Sequence, residues 1–376
     1  MSMEKILSTL KWHAYDLRRD LARWLSGRSA RPEHVYLCIC DHFEPYWKGA
    51  GRTTARNRIQ RWIREYPRIA DKHRDSLGNV LKYSFFYPEE EYRAEDMSAL
   101  ADLCHAGYGE VEIHLHHDND TADNLRRTLL DYKSRLHEKH GLLSIDRNTG
   151  EISYGFIHGN WALDNSRPDG RWCGVNNEIS ILQETGCYAD FTMPSAPSPT
   201  QTRKVNSIYW AVDDPMRPKS HDWGMDASAG VENEGLLMVQ GPLGLNWRRR
   251  KFGLLPRIEN SGLTASNPMG SDRVRIWLAK GVHVQGAEEH VFVKLYTHGA
   301  QEDTMRMLFE DKGLERLFFH ISLATWEQGA KLHFTSAREM ANIIAALIDN
   351  SRAAPGLMRN WRYQRLSIPT LKAAGE

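Results

Sequence analysis

The sequence predicts an α/β protein: a distorted (β/α) barrel of about seven parallel strands, with an amphipathic helix before it and helices after it. Short apolar runs alternate with helical patterns from residue 34 to about residue 300, the signature of parallel βαβ units. Acids, imidazoles and amides follow directly on those apolar runs, as they do where strand ends line an active site. A chain of 376 residues has room for one such barrel with additions.

In chain order, Ile6, Leu10, Leu17, Leu21, Trp24 and Leu25 recur at helical spacing and predict a helix over 3–25. Lys5, Lys11, Arg18, Arg19, Arg23 and Arg28 make it basic. Such a helix suits an anionic membrane surface, or docking on its own domain or on a second subunit. Residues 34–40 read as a buried strand and 53–73 as a helix. A strand over 80–86, a helix over 94–105, an alternating strand over 110–116 and a charged helix over 121–140 follow. Next come a strand over 154–158, a helix over 176–185 and a short strand over 188–193. Residues 194–234, rich in Pro, Ser, Asn and Asp, are too many for a plain connection and predict a functional loop or cap. Strands are expected over 235–240 and 291–296, then helices to the end, notably 337–348. The expected organisation is a helix over 1–31, a barrel over 32–300 and a helical segment over 301–376.

Composition excludes several classes. Lys and Arg total 49 against 48 Asp and Glu, a net charge of +1. Nucleic acid is therefore not an expected partner, because phosphate binding needs a strongly basic face. The dense run Arg248-Arg249-Arg250-Lys251 suits a solvated loop or the phosphate of a linked sugar. Five Cys without a CxxC disfavour a disulfide scaffold or a zinc ribbon, and Cys38 and Cys40 read as small buried hydrophobes. With no apolar signal core and no spanning segment, the expected location is cytoplasmic, with peripheral membrane contact through residues 1–31. Twelve Trp and 14 Tyr suit a sugar-binding cleft as well as ordinary packing.

The strongest chemical signal is His114-Leu115-His116-His117-Asp118-Asn119-Asp120. His114 and His116 are two apart, so on a strand they share a side. The donors in this run suit a borderline divalent cation, zinc first. Asp41-His42 offers a further ligand and a carboxylate that could take a proton from a metal-bound water. His298, before Gly299 at the end of an apolar strand, suits a general acid. His158, Asn160, Trp161 and Asp190 follow other strands and are candidates for substrate contact.

These residues resemble the divergent polysaccharide deacetylase family, carbohydrate esterases that include the chitooligosaccharide deacetylases. Asp41-His42 is similar to that family's Asp-Asp pair after strand one, with His in the metal position. Glu110-Val111-Glu112-Ile113-His114 is similar to its second motif, whose second ligand position falls on Asp118; the Gly-Leu-His-Leu-His form of some relatives makes His116 the rival. Phe156-Ile157-His158-Gly159-Asn160-Trp161 occupies the third motif, with Ile157 in place of the usual Arg. Asp190 fits the fourth motif loosely, and Leu295-Tyr296-Thr297-His298 fits a Leu-x-x-His form of the fifth.

The resemblance implies a metal-dependent hydrolase that removes an acetyl group from an N-acetylated sugar, a polysaccharide or a lipid-linked glycan precursor. It implies a divalent metal, zinc first, on His42, His114 and either Asp118 or His116. Asp41 would be the base and His298 the acid protonating the leaving amine. The alternatives are a barrel that binds or assembles glycans without turnover, and another metal hydrolase on the same barrel.

Overall fold

The computed structural model describes residues 3–25 and 31–365. Arg28 of the basic N-terminal segment and residues 366–376 of the C-terminal segment lie outside the described residues. The strands are β1 (His34–His42), β2 (Tyr83–Pro88), β3 (Gly109–Leu115), β4 (Ser144–Asp146), β5 (Ile152–His158), β6 (Cys187–Asp190), β7 (Ile208–Ala211), β8 (Met225–Asp226), β9 (Leu236–Val239), β10 (Gly244–Lys251), β11 (Leu255–Glu259), β12 (Gly262–Leu263), β13 (His290–Thr297), β14 (Lys331–Phe334) and β15 (Tyr363–Gln364). The main helices are α1 (Met3–Leu25), α2 (Arg52–Ala70), α3 (Ala94–His105), α4 (Ala122–His140), α5 (Glu178–Glu184) and α6 (Ser271–Lys280). After α7 (Glu302–Met305) come α8 (Gly313–Glu327), α9 (Ala337–Ile348) and α10 (Pro355–Met358).

The central sheet runs β12-β13-β1-β2-β3-β5-β6-β9-β7-β8. Every pairing from β12 to β9 is parallel, whereas β7 is antiparallel to both β9 and β8. β14 runs parallel to the first half of β1, pairing His34–Leu37 with Lys331–Phe334. No pairing joins the two ends of the path among the described residues. The sheet nevertheless curls. Lys294 on β13 is fully buried, and its Nζ donates to the carbonyls of Phe191 and Met193, just past β6. Five strand spacings lie between β13 and β6, roughly 24 Å in a flat sheet, far beyond one lysine side chain.

Period-two alternation sorts β1 between two cores. Leu37 and Ile39 pack outward with Trp62 of α2, while Cys38 and Cys40 face inward with Phe292 and with Ile343 and Ile344 of α9. Helix α9 thus fills the inner face toward the strands' N-terminal ends. A capping box of Ser336 and Glu339 starts it. Arg338 anchors it through a buried bidentate pair with Glu110 of β3, 2.8 and 3.0 Å. Losing one partner of such a pair costs about 3–5 kcal/mol, because the other charge stays buried and unpaired.

Three expectations change. Residues 194–234 are not simply irregular, because β7 and β8 within them extend the sheet. Residues 301–376 are not only helical, since β14 joins the central sheet and α9 packs into it. The basic run 248–251 lies on β10 of a β10–β11 hairpin. Among the described residues, no helix is long and apolar enough to cross a membrane.

Candidate functional site

The inward positions of three strands end in imidazole. On β1 the series Cys38, Cys40 ends at His42; on β3, Glu110 and Glu112 precede His114; on β13, Lys294 and Tyr296 lead to His298. These ends converge around Glu44, which is 4% exposed. Glu44 Oε1 lies 3.4 Å from His114 Nε2 and 3.5 Å from His116 Nε2. The His42 ring centroid lies 4.8 Å from that of His298 and 5.0 Å from that of His114. Two sets of donor atoms, His42/Glu44/His298 and Glu44/His114/His116, are each mutually within 4.8 Å, and Glu44 belongs to both.

Hydrogen bonds at the far sides of the rings orient them. His114 Nδ1 donates to the Ile157 carbonyl at 2.8 Å, which directs its Nε2 lone pair at Glu44. His116 Nδ1 is held by Glu90 Oε1 at 2.5 Å. Carbonyl or carboxylate partners of this kind characterise metal-ligating imidazoles. His42 Nε2 is buried with no hydrogen-bond partner. Burial, then the neighbouring rings of His298 and His114, hold the His42 pKa well below normal. Burial also lowers that of His298, with Glu44 opposing. Burial works against charge on His116 as well, but Glu90 outweighs it and the pKa rises. His42 and His298 are thus kept neutral beside a carboxylate, and imidazole nitrogens grouped about a carboxylate are the donor chemistry of a divalent cation. A tetrahedral zinc with ligand bonds of about 2.0–2.1 Å separates its donors by roughly 3.3–3.4 Å. The Glu44 distances of 3.4 and 3.5 Å match that edge.

Trp161 covers this group. Its ring centroid is 5.8 Å from His42, 5.9 Å from His298 and 6.2 Å from Tyr296, and its Nε1 is buried without a partner. Asn160 and Trp161 both have φ of +57°. Left-handed backbone at two successive non-glycine residues costs of order 1–3 kcal/mol each and is typical of functional loops.

Several expected residues stand elsewhere. Asp41 has the outward parity of Leu37 and Ile39. It accepts the Gly299 N–H at 2.6 Å, and a methyl group at Gly299 would collide with Asp41 and with Trp62 of α2. Burial pushes its pKa up to about 7, against the Gly299 bond. It braces the turn that presents His298, instead of facing the imidazoles. Asp118 accepts the Trp172 N–H at 2.6 Å and belongs to neither donor set. Asp190 is buried on Thr192, accepting from its N–H at 2.9 Å and its hydroxyl at 2.6 Å. The Thr192 hydroxyl oxygen in turn accepts the His158 N–H. His158 itself faces His117, away from Glu44. Sequence reasoning missed Glu44, although its signal was present. Like His114 and His116, His42 and Glu44 are two apart. A cavity of about 760 Å³ between Tyr188, Trp210 and Trp361 contains none of these residues.

No protein-family model matches this chain, and no curated protein matches it.

Proposed function

We propose that the protein is a metal-dependent hydrolase that releases acetate from an N-acetylated sugar or glycan precursor, on a curled sheet read as an incomplete (β/α) barrel. The observation that carries this reading is the convergence of His42, His114, His116 and His298 on buried Glu44 at the carboxyl ends of parallel strands, where such folds place catalysis. His114, His116 and Glu44 would hold the ion, with His42 and His298 forming the other donor group on Glu44. A bound divalent cation supplies Lewis acidity to the amide carbonyl and acidity to the attacking water. His298, kept neutral by burial, takes the water's proton as oxygen adds to the acetyl carbon. It returns that proton to the amine nitrogen as the C–N bond breaks, leaving acetate and a free amine. This replaces the Asp41–His298 pair implied by the family resemblance with one imidazole that acts in both directions. The Trp161 indole N–H, without an internal partner, is the donor available to a substrate oxygen.

The test is elemental analysis of the purified protein, combined with acetate release from a panel of N-acetylated oligosaccharides. The expected result is a bound divalent ion, chelator-sensitive acetate release, and a His298→Ala variant that keeps the ion but loses turnover. A protein that takes up no divalent ion on reconstitution overturns the reading. Bound metal without turnover of any acetylated sugar would favour the glycan-binding alternative.

A further inference from the structure

A second donor cluster lies beside the first and plays no part in the reaction above. His117 follows β3, His158 ends β5, Cys173 lies in the connection that follows, and Glu178 opens α5. His158, Cys173 and Glu178 are fully buried, and the His117 side chain is 7% exposed. His117 Nδ1 faces Asp120 Oδ2 at 2.9 Å, and His158 Nδ1 faces the Gly159 carbonyl. Both partners accept only, so each Nδ1 carries a ring proton and each ring turns its Nε2 toward the other. Those two nitrogens are 2.8 Å apart. Two bare lone pairs at that distance repel, so either a proton or a metal ion lies between them. Glu178 Oε1 lies 3.2 Å from His117 Nε2 and 3.6 Å from His158 Nε2. Its other oxygen, Oε2, is engaged by the Asp164 N–H at 2.6 Å and by Cys173 Sγ at 3.3 Å. One ligand atom from each of the four residues lies within 4.8 Å of the others.

We propose that His117, His158, Cys173 and Glu178 form a second divalent-cation site of two nitrogens, one oxygen and one sulfur, structural in role and zinc-preferring. Four protein donors and deep burial describe a closed site. Asp120 completes it twice, by orienting His117 and by donating its N–H to the Cys173 carbonyl at 3.0 Å. The ion ties the loop after β3 to the 159–178 segment, which carries Trp161 over the first site.

Cobalt(II) separates the two sites, because only this one offers a thiolate. The chelated full-length protein is titrated with cobalt and read for the thiolate-to-cobalt charge-transfer band in the near ultraviolet. The expected result is a band in the wild type that persists in His42→Ala and disappears in Cys173→Ala, with the loss of one metal equivalent. Absence of the band in the wild type overturns the proposal without any variant, and means that a shared proton bridges the two rings. A full metal complement in Cys173→Ala overturns it as well. Failure of the first site would show instead as normal binding here with no acetate release.

An independent feature lies on α1. Its inner face is docked: Trp12 is buried with Ala196, Val205 and Leu243, and Lys280 Nζ pairs with Asp16 at 2.6 Å and Asp20 at 2.8 Å. Its outer face is apolar. Leu7, Leu10, Leu17, Leu21 and Trp24 recur at steps of three, four and seven residues and are 48–75% exposed. Lys11 and Arg18 are exposed beside them. The β10–β11 hairpin packs its base, Leu245 and Ile258, against the Trp12 cluster. Its tip carries Phe252 at 92% and Leu254 at 78% exposure, next to exposed Lys251. We infer that this apolar and basic surface docks on an anionic lipid bilayer. Vesicle sedimentation of the full chain, with phosphatidylcholine alone or mixed with phosphatidylglycerol, tests it. Binding is expected only to the mixed vesicles. It should weaken by at least about ten-fold in Leu17→Glu/Leu21→Glu, with melting temperature and metal content unchanged. No binding by the wild type overturns the inference. So does a wild-type dimer that this variant dissociates, which would assign the stripe to a second copy.

Discussion

Replacing Asp41 with asparagine separates the two mechanisms open to this site. If Asp41 were the general base, removing it would cost about 10²- to 10⁴-fold in rate. The geometry predicts a much smaller effect. Asp41 accepts the Gly299 N–H at 2.6 Å from the outer side of β1, and asparagine still offers an oxygen there. The change weakens a charge-assisted hydrogen bond to a neutral one, a difference of about 1 kcal/mol or roughly five-fold in rate. With the carboxyl pushed up to about 7 by burial, much of it is already neutral at physiological pH, which shrinks the difference further. The assay is acetate release under saturating metal, with metal content and melting temperature measured on the same preparation. Asp41→Asn is expected to keep its metal and its fold and to lose no more than about ten-fold in rate. A loss of a thousand-fold or more, with metal and fold intact, would refute this placement and return the proton to Asp41.

Other consequences follow from the same geometry. Glu90→Gln removes the carboxylate that holds His116 Nδ1, and metal affinity should fall by about 10- to 100-fold in a chelator competition, as expected for an outer-shell partner. Trp161→Phe keeps the ring but deletes the unpartnered N–H; acetate release should fall by roughly five-fold, about one hydrogen bond, with metal binding unchanged. Far from the site, His34, His290 and His333 pack together at the start of β1, with His34 Nδ1 2.9 Å from His333 Nε2. Burial pulls both His290 and His333 down to about 4, with His34 adding repulsion and Glu33 and Asp75 opposing. Because the folded values lie below the unfolded ones, stability is complete above pH 6.5, falls as the pH drops toward 4, and levels off below. Each ring alone would contribute about 3 kcal/mol; partial exposure and coupling bring the pair to about 3 kcal/mol together. Urea melts between pH 7.5 and 4 should show that loss, and His333→Gln should flatten it.

Much of this architecture could be read from local pattern. Helices over 94–105 and 337–348 match the observed α3 and α9 end to end, and all seven expected strand regions hold strands of the sheet. Their apolar periodicity is strong enough that tertiary packing does not override it. The weak points were short pieces with little pattern of their own. Gly262–Leu263 and Lys331–Phe334 become strands only because β13 and β1 offer them free edges. Residues 208–211, read as part of a polar insertion, are held by antiparallel pairing to β9. The site was legible where strand ends announced it, at His42, His114, His116 and His298. Asp41 stands apart from the imidazoles because neighbouring residues on a strand face opposite sides: it has the outward parity of Leu37 and Ile39, and His42 has the inward one.

Periodicity and residue chemistry were thus sufficient for the α/β class, for the strand ends that carry imidazole, and for the donor types that suit a divalent cation. Those properties are local, set by spacing along one segment. Which carboxylate stands among the imidazoles, and that His117 and His158 leave the first group to join Cys173 and Glu178, depends on how far the sheet curls and where each loop returns. Those distances are set by contacts between segments from 41 to 258 residues apart, through packing that no single stretch of the chain encodes.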